Sequence, residues 1–194
     1  MPSAASRREF VDRVVSLSAA IVAVSALAVS IYQAKLARDQ QRASVWPRLD
    51  LTNNNGPHLY ARVIRNVGLG PALVRNMEVT FDGRPLRQWG DLARTILGPD
   101  AKRIIEADTT LEFMMSTVHR GSVLLPGASV EQLHLKGGTL PDAVMTAAFS
   151  GRLLWKACYC SLYGDCWTVT SISDEPTAVG SCPDKANASR EFEN

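Results

Sequence analysis

The chain lacks a charge excess: 21 Lys and Arg stand against 19 Asp and Glu, a formal net charge of +2 over 194 residues. No basic run occurs, and no basic patch interleaves with aromatics, so the electrostatic footprint of a nucleic-acid binder is missing and no nucleic-acid partner is expected. Catalytic signatures are also missing. There is no G-x-S-x-G, P-loop, H-E-x-x-H or Rossmann fingerprint. Gly68-Leu69-Gly70 precedes Pro71 and a strand-like run, so it opens no phosphate-binding helix. Only three histidines occur, His58, His119 and His134. None has a Ser, Cys or carboxylate partner at a recognisable catalytic spacing. The expectation is a protein that is not an enzyme and carries no cofactor or resident metal. Internal repeats and low-complexity segments are absent as well.

One stretch has no charge, no Pro and no Gly. Val14–Tyr32 runs VVSLSAAIVAVSALAVSIY. Its nineteen residues make roughly 28 Å of helix at ~1.5 Å per residue, close to the ~30 Å hydrocarbon thickness of a bilayer. A single transmembrane helix over residues 14–34 is therefore expected, after a short polar segment, 1–13. A cleaved signal peptide competes with this reading. Arg7, Arg8 and Arg13 would form its n-region and Ala26-Leu27-Ala28 its cleavage site, leaving Val29 first. The apolar run continues past that point through Ile31 and Tyr32, which favours an uncleaved anchor.

The span holds nine Val, Leu or Ile residues, five Ala and four Ser. At 100° per residue Ser16, Ala19, Ala20, Ala23, Ala26 and Ser30 fall on one face. Close backbone approach at small residues drives helix association in lipid. That face is a candidate packing surface for a second helix, from this protein or another; the plain alternative is an Ala-rich span in lipid. Lys and Arg near the two ends balance: Arg7, Arg8 and Arg13 against Lys35, Arg38 and Arg42. The positive-inside rule leaves orientation undecided.

Residues 35–45 contain good helix formers and no breaker, so a polar helical stalk is expected up to Trp46-Pro47. From residue 46 the pattern changes. Spaced Gly and Pro, alternating apolar residues and turn clusters point to a loop-rich β domain over 46–178. About 150 residues remain once the anchor is set aside, enough for a core that needs no help from disulfides or metals. Strand-like runs cover Arg48–Thr52, Leu59–Ile64 and Val74–Phe81, with Asp82-Gly83 as a hairpin turn. Trp89–Leu97 reads as a short helix and Lys102–Asp108 as a solvated insertion. Thr109–Val118 reads as a strand with Met114 and Met115 in the core. Ser129–Leu135 alternates, and Pro141–Phe149 is a second short helix. Arg152–Cys160 and Trp167–Ile172 form a final hairpin. Residues 179–194 read as a flexible tail with a glycosylation sequon at Asn187-Ala188-Ser189.

The stretch RVIRNVGLGPALVRNMEVTFDG resembles the strand–loop–strand of bacterial Ig-like, CARDB-like adhesion modules. The match lies at Asn66, Gly68, Pro71, Ala72 and the closing Asp82-Gly83. The resemblance implies an extracytoplasmic β-sandwich used for binding, with no catalytic residues to carry over. Beyond residue 83 the sequence departs from a simple sandwich, so the expected chain is mainly β: one Ig-like β-sandwich domain with short helical insertions.

The four cysteines, Cys158, Cys160, Cys166 and Cys182, all fall in the last quarter. Alternation puts Cys158 and Cys160 on one strand face. An even, clustered set fits two disulfides, with Cys160–Cys166 and Cys158–Cys182 the favoured pairing of three. A tetrahedral zinc site or free buried thiols are the alternatives, although the C-x-C start departs from the usual C-x2-C knuckle. Disulfides place the domain outside the cytoplasm. The combined expectation is a single-pass inner-membrane protein, N-terminus inside, whose periplasmic or extracellular domain binds another protein as an accessory subunit. The alternative is a membrane effector with a cytoplasmic ligand-sensing β domain, whose helices cluster to permeabilise the membrane.

Overall fold

The computed structural model describes residues 4–116, 118–183 and 192. It divides into two units, residues 1–44 and 45–194.

The first unit is one helix, α1 (Ala4–Ser44). The polar segment before the apolar run is thus helical from Ala4, and the stalk continues the same helix. Its 41 residues make roughly 60 Å at ~1.5 Å per residue, about twice a hydrocarbon core. It is the one described helix long and apolar enough to cross a membrane. Ser16, Ala19, Ala20, Ala23, Ala26 and Ser30 all lie on its exposed surface. The Ser30 hydroxyl donates to its own helix, to the Ala26 carbonyl at 2.8 Å.

The second unit holds β1 (Leu49–Gly56), β2 (Leu59–Asn66), β3 (Ala72–Phe81), β4 (Arg84–Leu86), α2 (Trp89–Leu97), α3 (Ala101–Ala107), β5 (Glu112–Met115), β6 (Val123–Leu124), β7 (Ser129–Lys136), α4 (Leu140–Phe149), β8 (Leu153–Cys160), β9 (Cys166–Thr170) and β10 (Ser173–Val179). Four strands form one sheet in the order β1-β2-β7-β5. Six form the other, in the order β10-β9-β8-β3-β4 with β6 also on β3. All the pairings are antiparallel. Over the whole chain helix and strand are nearly equal, 36% and 35%, because α1 alone takes 41 residues. The architecture is a mixture of helix and antiparallel sheet.

The Asp82-Gly83 turn has φ of 49° and 75°, both positive as a type I′ hairpin requires. Arg152 on the facing chain donates to both Asp82 carboxylate oxygens, at 2.8 and 2.7 Å. Those bonds, with burial opposing them, hold the carboxyl below its usual range.

The loop after β2 is fixed by Asn66, which is fully buried. Its amide donates to the Gly70 and Leu124 carbonyls, both at 2.8 Å. Its oxygen accepts from the Gly68 and Arg48 N–H groups, at 3.0 and 3.3 Å. Leu69 N–H also donates to the Trp46 carbonyl at 2.8 Å. The loop lies so close to Trp46-Pro47 that a Cβ on Gly68 would sit 2.6 Å from the Trp46 oxygen. One on Gly70 would overlap the Val45 carbonyl. Here glycine serves close backbone approach.

One core joins both sheets: Leu49, Tyr60 and Leu133 from the first pack with Val74, Trp155 and Tyr159 from the second. It also contains a cation. Arg62 is 1% exposed, lies over the Trp155 ring at 5.4 Å and donates to Asn53 at 2.7 Å. Burial lowers its guanidinium pKa to about 10, with Tyr60 and Asp50 opposing. Burial likewise pushes the Tyr60 phenol up to about 12, with Arg62 opposing.

Several expectations are corrected. Strict alternation along β7 puts Gln132 opposite Leu133, yet both are buried. The register slips between Arg62 and Val63, so Gln132 is a bulge residue and turns inward. Met114 and Met115 are 61% and 44% exposed, because β5 is a short edge strand paired with β7. The insertion at 101–107 is a helix. Residues 173–179, split by the sequence reading between domain and tail, form β10. The tail is tied at two points, by Cys182 and by Phe192, which is 4% exposed and donates its N–H to the Met77 carbonyl at 2.9 Å. Residues 184–191, with the sequon at 187–189, and 193–194 lie outside the described residues.

Candidate functional site

The insertion around Trp89 builds an apolar concavity. Helix α2 starts where the Asp91 carboxylate, in its first turn, accepts from the Arg87 and Gln88 N–H groups at 3.1 and 3.2 Å. Burial works to raise the Asp91 pKa, but these bonds and the Arg94 guanidinium outweigh it and hold the carboxyl low. The helix ends at Gly98, φ 82°, and Pro99 turns the chain into α3. Asp108 then accepts from the Thr110 hydroxyl and N–H, at 2.6 and 3.0 Å. Those bonds lower its carboxyl pKa and fix the turn that delivers β5.

Between α2, α3 and β5 lies a groove of about 430 Å³, within the ~300–1,000 Å³ range of binding clefts. Its floor and walls are apolar: Trp89, Ala93, Ile105, Phe113 and Met115. Phe113 and Met115 are two apart on β5 and share its groove-facing side. Charges at the rim cancel in pairs. Arg94 meets Asp91, and Lys102 meets Glu106 at 3.8 Å. Such a lining offers apolar surface and no concentration of one sign of charge.

The floor is rigid. Trp89 packs against Trp155 with ring centroids 5.0 Å apart and against Phe192 at 4.7 Å. Trp89 itself is 4% exposed. Sequence reasoning located the Trp89 helix but placed Met115 in the core and missed Phe192, whose single aromatic in a polar tail was the available signal.

The cysteines occupy another part of the unit. Cys158 and Cys160 share a face of β8, and Cys160 stands opposite Cys166 on β9. The bonded pairs are Cys158–Cys182 and Cys160–Cys166. The pairs abut, with the Cys160 and Cys182 sulfurs 3.8 Å apart. The histidines lie on the surface. His58 meets Asp142 at 2.8 Å and His134 meets Glu131 at 3.1 Å. His119 Nδ1 lies 3.5 Å from the Ser122 hydroxyl.

A family model described as "Domain of unknown function (DUF8453)" matches residues 11–156. That stretch takes in the apolar run of α1 and the whole groove, and stops within β8, before Cys158. No curated protein and no solved structure matches the chain.

Proposed function

The chain belongs to the DUF8453 family, and from that premise we propose that it is a single-pass membrane-anchored binding protein. Its β unit stands on the periplasmic or extracellular side of the inner membrane. It acts as an accessory subunit that holds another protein, in the manner of an Ig-like, CARDB-like sandwich. The observation that carries this reading is the apolar groove at the Trp89 insertion, with its charge-paired rim and exposed Met114 and Met115 beside it. Methionine surfaces adapt to apolar partners, and exposed apolar patches rimmed by polar groups mark interaction sites. The bonded cysteines support an oxidising compartment. Two sheets sharing one core support the sandwich reading. The small face of α1 offers contact with a second helix.

The test places a photo-crosslinking side chain at Lys102, on the groove rim, in intact cells. One discrete protein adduct, lost with Met115→Glu, is expected. An adduct pattern equal to that from Thr52, on the exposed side of β1, would refute the groove as the binding surface. A membrane-impermeant maleimide reads the side of the membrane. Labelling only after reduction fits an outside domain. Four free thiols, reached only once the membrane is opened, would replace this reading with the cytoplasmic ligand-sensing effector.

A further inference from the structure

We propose that the four cysteines have a second state: once both disulfides are reduced, Cys158, Cys160, Cys166 and Cys182 together hold one Zn2+ ion. The cysteine cluster shares no residue with the groove. The Cys160, Cys166 and Cys182 sulfurs all lie within 4.8 Å of one another. Cys160 and Cys182 are not bonded to each other, and their sulfurs stand 3.8 Å apart. A tetrahedral zinc tetrathiolate with Zn–S of ~2.3 Å has S···S edges of ~3.8 Å. One edge of the tetrahedron is therefore already at length. Cys158 is outside that group of three and is tied to it by its bond to Cys182, so it is the sulfur that must close in.

Opening the two disulfides to tetrahedral edges takes small displacements. The paired Cα atoms are 5.7 and 4.0 Å apart. Separating two sulfurs from bonding distance to a tetrahedral edge moves each by roughly 1 Å, within reach of side-chain rotation. The donor set suits zinc. It is all sulfur, which excludes Mg2+ and Ca2+. Cys158, Cys160 and Cys166 are 1%, 5% and 8% exposed, so water competes poorly. A tetrathiolate around Zn2+ carries two negative charges, and Arg120 is anchored on the same stretch of chain, donating to the carbonyl of Pro183, the residue after Cys182, at 3.3 Å.

The chemistry balances with a dithiol as reductant. Two dithiols each give two electrons and two protons and close to cyclic disulfides. The four released thiols then lose four protons to solvent as Zn2+ binds.

The test uses the full chain in detergent micelles, reduced with dithiothreitol, freed of reagent without oxygen and titrated with Co2+. Expected are the visible bands of tetrahedral thiolate-bound cobalt, a stoichiometry of one per chain, and displacement by one Zn2+. Tryptophan emission should stay native-like, since Trp167 stacks on Tyr159 beside the cluster at 5.9 Å. Cys166→Ser should shift the bands and weaken binding by more than about tenfold, the lower end of what even an outer-shell change costs. A reduced chain that retains no metal, folded or unfolded, overturns the proposal. So does equal metal retention by the oxidised and reduced chains, or by Cys166→Ser and the parent.

Discussion

Asn66→Ala is the substitution with the clearest expected cost. The side chain makes four hydrogen bonds, two donated and two accepted, and none of its surface reaches water. Each bond is worth ~0.5–1.5 kcal/mol net, and a stranded buried partner costs ~1–3 kcal/mol. The carbonyls of Gly70 and Leu124 lose their donor together, so the sum is about 4 kcal/mol. That is a large share of the ~5–15 kcal/mol that holds an ordinary domain together. For a unit of this size it lowers Tm by roughly 8–16 °C. The assay is urea and thermal unfolding of the full chain in micelles, followed by tryptophan emission. Asn54→Ala, on the exposed end of β1, is the control, with an expected change under ~0.5 kcal/mol. Asn66→Asp sharpens the test, because it keeps the shape and loses both donors. Its carboxylate would face two carbonyl oxygens, which raises its folded pKa above the unfolded value. Its stability should therefore be greatest in acid and fall as pH rises through the folded pKa. A loss of less than ~1 kcal/mol for Asn66→Ala would refute the view that this side chain locks the loop to residues 46–48.

The remaining expectations are shorter. Removing Cys158–Cys182, with a separation of 24 residues, should cost about 3.5 kcal/mol on the loop-entropy scale, and removing Cys160–Cys166, with a separation of 6, about 2. Paired Ser substitutions and urea midpoints check the order, and a reversed order would sink it. Phe192→Ala should cost ~3 kcal/mol for a buried aromatic and alter the emission of Trp89 and Trp155; no change in either would mean that the tail does not dock. Between pH 10 and 12 two buried groups oppose each other. Tyr60, raised to about 12, keeps its proton only when folded, so its contribution falls as pH rises. Arg62, lowered to about 10, loses its proton first in the folded state, so its contribution rises. Each slope is at most ~1.4 kcal/mol per pH unit. Relative to the parent, Tyr60→Phe should gain stability across that window and Arg62→Met should lose it. Parallel curves for both variants would refute the assignment.

What the sequence conveyed and what it concealed divide along the range of the interactions. Local signals were readable: the uncharged run of α1, the Asp82-Gly83 turn, the Trp89 helix, and four cysteines near one hairpin. Each is set by residues a few positions apart. The groove was not readable, because it exists only where β5 crosses beside α2 and α3. Met115 looks like core in one dimension and becomes surface once β5 is a short edge strand. Gln132 shows the converse. Alternation assigned it outward, and a one-residue bulge against β2 turned it in. Arg62 shows a third case. The run Leu59–Ile64 reads as a strand, but nothing local says that both faces of β2 are covered, one of them by the second sheet through Trp155. A charged residue is then retained inside by ring stacking and one Asn rather than by solvent. Replacing it with an apolar residue of similar volume need not destabilise, since such swaps of buried ions are often neutral or favourable. At neutral pH Arg62→Met should therefore unfold within ~1.5 kcal/mol of the parent, whereas Arg62→Ala, which leaves a cavity over Trp155, should cost ~2–5 kcal/mol. If Met and Ala cost the same, charge rather than packing is what the core requires at this position, and the stacking account is wrong.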